Sequence, residues 1–306
     1  MASTSLAPDL YPEMQLTKVL ADAIDQNRLP AHASDILSFS QHRNSPMQQQ
    51  FVVHTDAGDY FIKLQPLTEE TQTQCRAEYS GLLTIAASRT IRTAIPLAVG
   101  HLDNAAYIVL QHLPLAVHGD WQQAGEQLAQ LHSQAVAERY GFDQPTFCGF
   151  TMLDNRWQTN WARFFCEQRL SPLAEQLHQR GERLAGLSSA LPMIENRLLG
   201  HQPEASLLHG DLWSGNIGFV PEPEGSVPVI YDPACYYGDS ETDLAMTELF
   251  GRFPQTFYQG YHSVRPIDDD YEERRPVYQL FHLLNHAVLF GGHYLTQARD
   301  LLRQLQ

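Results

Sequence analysis

The sequence has no long apolar run and few cysteines, and both scarcities exclude classes of protein. No segment approaches the roughly 20 consecutive apolar residues that a membrane-spanning helix needs. The amino-terminal residues MASTSLAPDLYPE lack the basic and apolar stretches of a signal peptide. No CxxC pair occurs among the four cysteines, which are Cys75, Cys148, Cys166 and Cys235. This pattern predicts reduced thiols in a cytoplasmic protein, rather than a disulfide framework or a zinc site.

Basic residues are also scarce. The 306 residues include 20 lysines and arginines against 35 aspartates and glutamates, which gives a net charge of −15. A surface this acidic repels the phosphates of nucleic acids and of anionic lipids, so we expect neither a nucleic acid nor a membrane as a partner. The hydrophobic fraction of 43% is ordinary for a protein with a buried core, which excludes a disordered chain.

The first third of the chain has the pattern of a small antiparallel sheet with one long helix. The segments FVVHT and YFIKL, within residues 51–64, alternate around a turn and predict two strands. Residues 68–88 have the apolar stripe of a helix, and IPLAVGHL and AAYIVLQHL predict two more strands. Helical patterns then dominate. We predict an α+β fold with one domain over residues 1–112 and a larger, mainly helical domain over residues 113–306.

The predicted second domain contains three sequence patterns that are typical of helices. Asp120 is a predicted N-cap, and the order Ser240 to Asp243 has the spacing of a capping box that opens a helix. One face of a further predicted helix has four aromatic residues, which are Trp157, Trp161, Phe164 and Phe165.

Most of the candidate catalytic and metal-binding residues lie in the segments LLHGDLWSGNIGF and VIYDPACYYGD. Phosphoryl transfer from ATP needs a carboxylate at the acceptor hydroxyl, oxygen ligands for Mg²⁺ and a lysine on the phosphates. Asp211 and Asn216 have the Asp-x₄-Asn spacing of a kinase catalytic loop, and Asp232 follows an apolar strand, as the metal-binding aspartate of kinases does. Lys63 on a predicted strand and Glu78 on the following helix match the lysine–glutamate pair of that fold. The set predicts a kinase.

Each of these elements has an ordinary alternative when it is taken alone. His-Gly-Asp is a common turn, and aspartate and asparagine often cap loops through their own side chains. A strand lysine or a helix glutamate is usually solvated. The kinase interpretation is favoured because Lys63, Glu78, Asp211, Asn216 and Asp232 occur together and in the right order along the chain.

Three neighbouring residues are weaker candidates. Trp213, two residues after Asp211, is expected either to stack on a sugar at the mouth of the cleft or simply to pack. Asp243 either favours the positive end of a helix or accepts backbone N–H groups of the catalytic loop and holds it rigid. His209 is expected to be a structural hydrogen-bonding residue.

With these residues in place, the sequence resembles the fructosamine kinase (ketosamine-3-kinase) family, a branch of the kinases that resemble aminoglycoside phosphotransferases. The strongest matches are LLHGDLWSGN, IYDPACYYGDSETDLAM and PVYQLFHLLNHAVLFGG, and the resemblance extends from about residue 13 to the end of the chain. It implies a bilobal protein-kinase-like fold, ATP with Mg²⁺ as cofactors, and adenine against backbone groups of a hinge near Gln111 and Leu113. It also implies phosphorylation of the 3′-hydroxyl of a sugar joined to an amine as a ketosamine, an activity that repairs glycation.

The resemblance also implies a role for each matching residue. Asp211 is then the catalytic base, Asn216 and Asp232 are magnesium ligands, Lys63 binds phosphate and Glu78 orients Lys63. The substrate is a small ketosamine or a glycated protein lysine, and both a monomer and a homodimer remain open.

One departure from the family concerns glycine. The family has a glycine-containing nucleotide loop between its first two strands, whereas SFSQHRNSPMQQQF (38–51) contains no glycine. Two rival functions therefore stay open. One is a kinase of the same fold that acts on an amino sugar or an amino alcohol. The other is a pseudokinase that only binds a partner.

Overall fold

The chain forms two compact units, which we call the first unit and the second unit. The structure is a computed structural model that describes residues 12–182, 184 and 186–305. The first unit contains the residues up to Leu83 and Ala94–Leu113, and the second contains Thr84–Thr93 and the residues from Pro114 onward. Residues 1–11 of the predicted first domain lie outside the described residues. The predicted boundary after residue 112 stays a prediction, and residues 84–93 belong to the second unit.

The described residues contain both helices and strands in large number, as expected for an α+β fold. The helices are α1 (Pro12–Asp25), α2 (Glu69–Ser88), α3 (Trp121–Gln134), α4 (Trp161–Phe165), α5 (Ser171–Gln179), α6 (Leu187–Leu199), α7 (Glu241–Leu249), α8 (Gln255–Val264), α9 (Tyr271–Phe290) and α10 (His293–Leu305). The strands are β1 (Ile36–Asn44), β2 (Gln49–Thr55), β3 (Gly58–Pro66), β4 (Arg92–Thr93), β5 (Pro96–His101), β6 (Ala105–Gln111), β7 (Val136–Ala137), β8 (Thr146–Cys148), β9 (Thr151–Leu153), β10 (Ala205–Leu208), β11 (Ile217–Glu222), β12 (Gly225–Ile230) and β13 (Tyr236–Gly238). None of the described helices is long and apolar enough to cross a membrane.

The first unit is built on one antiparallel sheet, in the strand order β1-β2-β3-β6-β5. Its core forms because the apolar residues of α1 recur at helical spacing and pack with the inward-facing side chains of the strands. Leu16, Val19 and Leu20 of the helix share this core with Phe51 and Ile62 of the sheet. The two strands predicted within residues 51–64 are confirmed as β2 and β3.

The glycine-free segment is mostly strand rather than loop. Its two halves pair as β1 and β2, and only Ser45–Gln48 connects them. The Ser45 hydroxyl accepts the N–H of Gln48 at 3.1 Å and donates to its carbonyl oxygen at 3.0 Å. This turn is closed by a side chain, so it needs no glycine. Nearly every residue of β1 is exposed, which is why no apolar alternation predicted this strand.

In the second unit, helices surround three small sheets among the described residues, in the orders β13-β10-β7, β11-β12-β4 and β8-β9. Helices α3 and α8 pack closely, because glycines let the two backbones touch. A Cβ on Gly125 would lie 1.9 Å from the carbonyl oxygen of Phe257, and one on Gly260 would lie 2.1 Å from that of Gln122. The predicted N-cap of α3 is confirmed, since Asp120 accepts the N–H of Gln123 at 2.9 Å.

Two local predictions in the second unit are wrong. Trp157 does not share a helix with the later aromatic residues, because Asn160 caps the N-terminus of α4 and starts that helix at Trp161. Ser240 makes no capping hydrogen bond, although α7 does begin beside it. Asp239 accepts the N–H of Glu241 at 3.1 Å instead. The Asp243 carboxylate, which would complete the capping box, accepts the N–H groups of His209 and Gly210.

Candidate active site

The first unit contributes a buried ion pair at the centre of its sheet. Lys63 lies on β3, between β2 and β6, and its Nζ is 2.7 Å from Oε1 of Glu78 on α2. Only 4% of the Lys63 side chain and 14% of the Glu78 side chain are exposed. The short contact and the low exposure of both side chains fix the position of the Lys63 ammonium group relative to α2.

The predicted hinge residues end the same sheet. The N–H of Gln111 donates to the carbonyl oxygen of Ile95 at 2.9 Å, so this donor is already engaged within the first unit. Leu113 is buried. Their contact with adenine stays a prediction, and the Gln111 N–H is a poor candidate for it.

In the second unit, the catalytic loop follows β10 and bends at a glycine. Gly210 has a φ of +82°, and a Cβ there would lie 2.2 Å from the carbonyl oxygen of Ala234. Only glycine fits this turn and this close approach. The side-chain Nδ2 of Asn216 donates to the carbonyl oxygen of Asp211 at 2.8 Å, which closes the loop behind the predicted base.

A buried carboxylate on α7 accepts backbone N–H groups of the predicted catalytic loop. Asp243 Oδ2 accepts the N–H of His209 at 2.7 Å, and Oδ1 accepts the N–H of Gly210 at 2.8 Å. His132 Nε2 lies 3.2 Å from Oδ2. Burial alone would raise the pKa of Asp243, but the interactions with His132 and with the loop lower it below its usual value. The side chain is therefore a charged acceptor at neutral pH.

The loop after β12 is tied to the catalytic loop. His209 Nε2 lies 2.9 Å from the carbonyl oxygen of Tyr231, and the N–H of Ala234 donates to the carbonyl oxygen of His209 at 2.8 Å. Between these contacts, Asp232 has a φ of +58°, a conformation that is uncommon outside glycine. Such backbone strain is typical of functional sites.

Asp211 has the electrostatic environment of a general base. Its Oδ1 is buried and has no hydrogen-bond partner among the described residues. Burial, together with the negative charges of Asp232 and Asp243, raises the pKa of Asp211 to about 7. An orphaned carboxylate oxygen implies a ligand that is absent from the structure, either a hydroxyl donor or a cation.

The same oxygen-rich group suits a magnesium ion. Mg²⁺ takes oxygen ligands, usually one or two carboxylates together with phosphate oxygens. The amide nitrogen of Asn216 is engaged with Asp211, so its Oδ1 is the atom that would face a cation. Asp232 would supply a carboxylate. The residues present therefore fit the cofactor that the sequence predicts.

Trp213 lies two residues beyond Asp211 and is 37% exposed. Its ring covers the backbone of Gly215, where a Cβ would lie 2.4 Å from the ring. Gly215 is therefore required for this ring position. The predicted contact of Trp213 with a sugar stays a prediction.

Two residues beside Asp211 escaped the sequence analysis. Cys148 Sγ and a ring nitrogen of His282 lie within 4.8 Å of each other and of an Asp211 carboxylate oxygen. They come from β8 and α9, far apart in the chain, and no spacing connects them. Nothing in the sequence could have grouped them.

Comparisons with known proteins show which family the chain resembles. The family model described as fructosamine kinase matches residues 20–306. The chain belongs to the fructosamine kinase family. The probable ketoamine kinase of Vibrio parahaemolyticus is 38% identical over 85% of this chain and 89% of its own length. That of Synechocystis is 41% identical over 80% of this chain and 82% of its own length.

Solved structures confirm the fold of this family member. A crystal structure named as a candidate fructosamine-3-kinase, from Haemophilus somnus, has a TM-score of 0.85 at 26% identity and covers 95% of this chain and 96% of its own. An aminoglycoside phosphotransferase has a TM-score of 0.62 at 14% identity over 93% of this chain and 98% of its own, which shows the fold alone. The predicted protein-kinase-like fold is confirmed. As a member of the fructosamine kinase family, the chain is a phosphotransferase that acts on a hydroxyl group.

Proposed function

We propose that this protein uses ATP and Mg²⁺ to phosphorylate the 3′-hydroxyl of the sugar in ketosamines. The observation that carries the proposal is the buried, unpartnered Oδ1 of Asp211, in a loop that Asp243 and Asn216 hold in place. A phosphoryl acceptor needs such an oxygen at its hydroxyl proton.

In the proposed mechanism, Asp211 accepts a hydrogen bond from the sugar hydroxyl and takes its proton late in the transfer. A pKa of about 7 suits a base that works at neutral pH. Asn216 and Asp232 would hold the magnesium ion, which when bound neutralises charge on the phosphates. Lys63, oriented by Glu78, would contact phosphate oxygens. Family resemblance supports these roles.

The phosphorylated ketosamine would then decompose and free the amine, which makes the activity a repair of glycation. A structure of this fold has been solved with AMP-PNP and hygromycin B, which supports ATP as the phosphoryl donor. We extend the proposal to small ketosamines and to glycated protein lysines as acceptors. An enzyme that consumes ATP works where ATP is supplied, so we also propose a cytoplasmic location.

The test is an ATP-consumption screen over ribulosamine, erythrulosamine and fructosamine adducts, both as free amines and on a glycated protein. Transfer should occur on at least one ketosamine, with phosphorus NMR of the product showing attachment at the 3′ position. A parallel panel of aminoglycosides and amino alcohols should remain unphosphorylated. Turnover on that panel alone would assign the rival substrate class.

Thermal unfolding with Mg·ATP, measured together with turnover, distinguishes a kinase from a pseudokinase. A stabilisation by Mg·ATP without turnover on any acceptor in the two panels would refute catalysis and favour a binding module.

A further inference from the structure

The carboxylate of Asp211 forms one side of a second potential site. The other two sides are Cys148, at the end of β8, and His282, in the middle of α9. One ligand atom of each residue lies within 4.8 Å of those of the other two. Cys148 is 1% exposed and His282 is 0% exposed, whereas Asp211 is only partly buried and is the most accessible of the three.

Unsatisfied polar atoms are concentrated here. Both ring nitrogens of His282 and Oδ1 of Asp211 are buried without a hydrogen-bond partner among the described residues. Leaving a buried polar group unpaired costs about 1–3 kcal/mol, so native structures rarely do it without a ligand or a bound water. Burial lowers the pKa of His282 to about 3, which keeps its ring neutral with one lone pair available.

The donor atoms match one kind of ion. A thiolate, a neutral imidazole and a carboxylate together select Zn²⁺, whereas Mg²⁺ prefers oxygen alone. Burial and the negative charge of Asp211 raise the pKa of Cys148 well above its usual value, so the thiol keeps its proton until a metal ion displaces it. The Nδ2 of Asn285 donates to Cys148 Sγ at 3.1 Å, a hydrogen bond that opposes this shift. Bond lengths of about 2.0–2.3 Å place tetrahedral ligand atoms roughly 3.3–3.7 Å apart. The ligand atoms of the three residues, which lie within 4.8 Å of one another, would therefore have to approach each other by at most about 1.5 Å.

The cluster of His201, Asp239 and Glu241 does not offer the same opportunity. Its His201 Nε2 already lies 2.7 Å from Asp239 Oδ2, and Arg274 binds Glu241 through two hydrogen bonds of 2.7 Å. Its charges and donors are engaged with one another.

We propose that Cys148, Asp211 and His282 form an inhibitory zinc site. The Cys148 thiol releases its proton when zinc binds, and water takes the fourth position. The metal occupies the carboxylate that would otherwise accept the sugar proton, so phosphoryl transfer stops. Zinc binding is independent of the proposed function, and only the inhibition rests on it.

The binding test titrates the metal-free protein with zinc against a chromophoric chelator, and separately with Co²⁺ followed by absorption spectroscopy. We expect one tight zinc equivalent and a near-ultraviolet cobalt–thiolate charge-transfer band. Cys148→Ser should lose the band and weaken zinc binding about tenfold or more. Cys166→Ser is the matched control, since its thiol is also buried but lies outside the cluster, and it should behave like the wild type.

The cobalt band of the wild-type protein tests the proposal even where a variant fails to fold. Absence of that band, or equal zinc affinity in Cys148→Ser and the wild type, would overturn the site.

The activity test measures phosphoryl transfer with added zinc, relative to each variant without zinc. Zinc should inhibit the wild type and Cys166→Ser, and excess Mg²⁺ should not relieve this inhibition. His282→Asn and Cys148→Ser should resist it. Equal inhibition of all four proteins would place the zinc effect elsewhere and overturn the proposal. If no acceptor is phosphorylated at all, the proposed function fails, while the binding test still decides the zinc site.

Discussion

At the scale of single residues, the buried carboxylate of Asp243 connects helices α7 and α3 with the predicted catalytic loop. Asp243 on α7 accepts two loop N–H groups and contacts His132 on α3. The sequence alone leaves open whether this residue favours a helix terminus or supports the loop. Its hydrogen bonds favour support of the loop, and we keep that role as a proposal.

Replacing this carboxylate tests the supporting role. Asp243→Asn has a single acceptor oxygen, and its amide N–H₂ would face one of the backbone donors. We expect the free energy of unfolding in urea to fall by about 3 kcal/mol and kcat to fall more than KM rises. Asp300→Asn, at an exposed ion pair, should change stability by less than about 0.5 kcal/mol. Wild-type stability and kcat in Asp243→Asn would contradict the supporting role.

His201, in the second unit, should make the stability of the fold depend on pH. Burial alone would lower the pKa of His201, but the hydrogen bond with Asp239 and the nearby negative charges raise it above its usual value of 6.5. The protonated ring therefore stabilises the fold fully below about pH 6.5, and this contribution is lost as pH rises through the raised pKa.

Urea unfolding over a range of pH checks this dependence. The stability difference between the wild type and His201→Asn should be largest below about pH 6.5 and should shrink toward alkaline pH. The exposed His178→Asn serves as the control and should alter stability little at any pH. A difference that grows with rising pH would contradict the assigned ion pair.

At the scale of secondary-structure elements, the contact of α3 with α8 positions His132, which contacts Asp243. His132 of α3 contacts Asp243 through Nε2 and the Tyr261 hydroxyl of α8 through Nδ1, at 2.8 Å. These contacts require the two helices to lie as close as their glycines allow.

A single methyl group tests that helix contact. Gly125→Ala places a Cβ against the backbone oxygen of Phe257, so α3 and α8 must separate. We expect a loss of about 2 kcal/mol in the free energy of unfolding and a lower kcat. Gly200→Ala is the control, because a Cβ there meets nothing within 4 Å. Equal stability of the two variants would show that the helices tolerate a wider spacing.

Strands with one buried face were predictable from the sequence, and the exposed strand β1 was not. The alternation in β2 and β3 predicts both strands, because one face of each enters the core. Strand β1 has almost no buried residue, so its polar sequence gave no periodic signal. The aromatic spacing includes Trp157 and therefore predicts an earlier start for α4, whereas the cap at Asn160 decides where the helix begins.

At the scale of the whole molecule, the net charge of −15 argued against polyanionic partners, yet the proposed cofactor is itself an anion. The acidity must then be offset locally by Mg²⁺ and Lys63 rather than by the surface. The chain order of Lys63, Glu78, Asp211, Asn216 and Asp232 predicts a kinase, and the longer motifs around Asp211 and Asp232 carry the resemblance to the family. Long-range neighbours such as Cys148 and His282 could not be predicted, because folding alone brings them beside Asp211.

The most direct test of the account compares phosphoryl transfer by the wild type and Asp211→Asn under single-turnover conditions. The asparagine keeps the shape of the side chain but cannot take the proton. We predict a fall in the transfer rate of about 100-fold or more, with the affinity for Mg·ATP and the urea midpoint nearly unchanged. A transfer rate close to that of the wild type would contradict the assignment of Asp211 as the base, and with it the proposed mechanism.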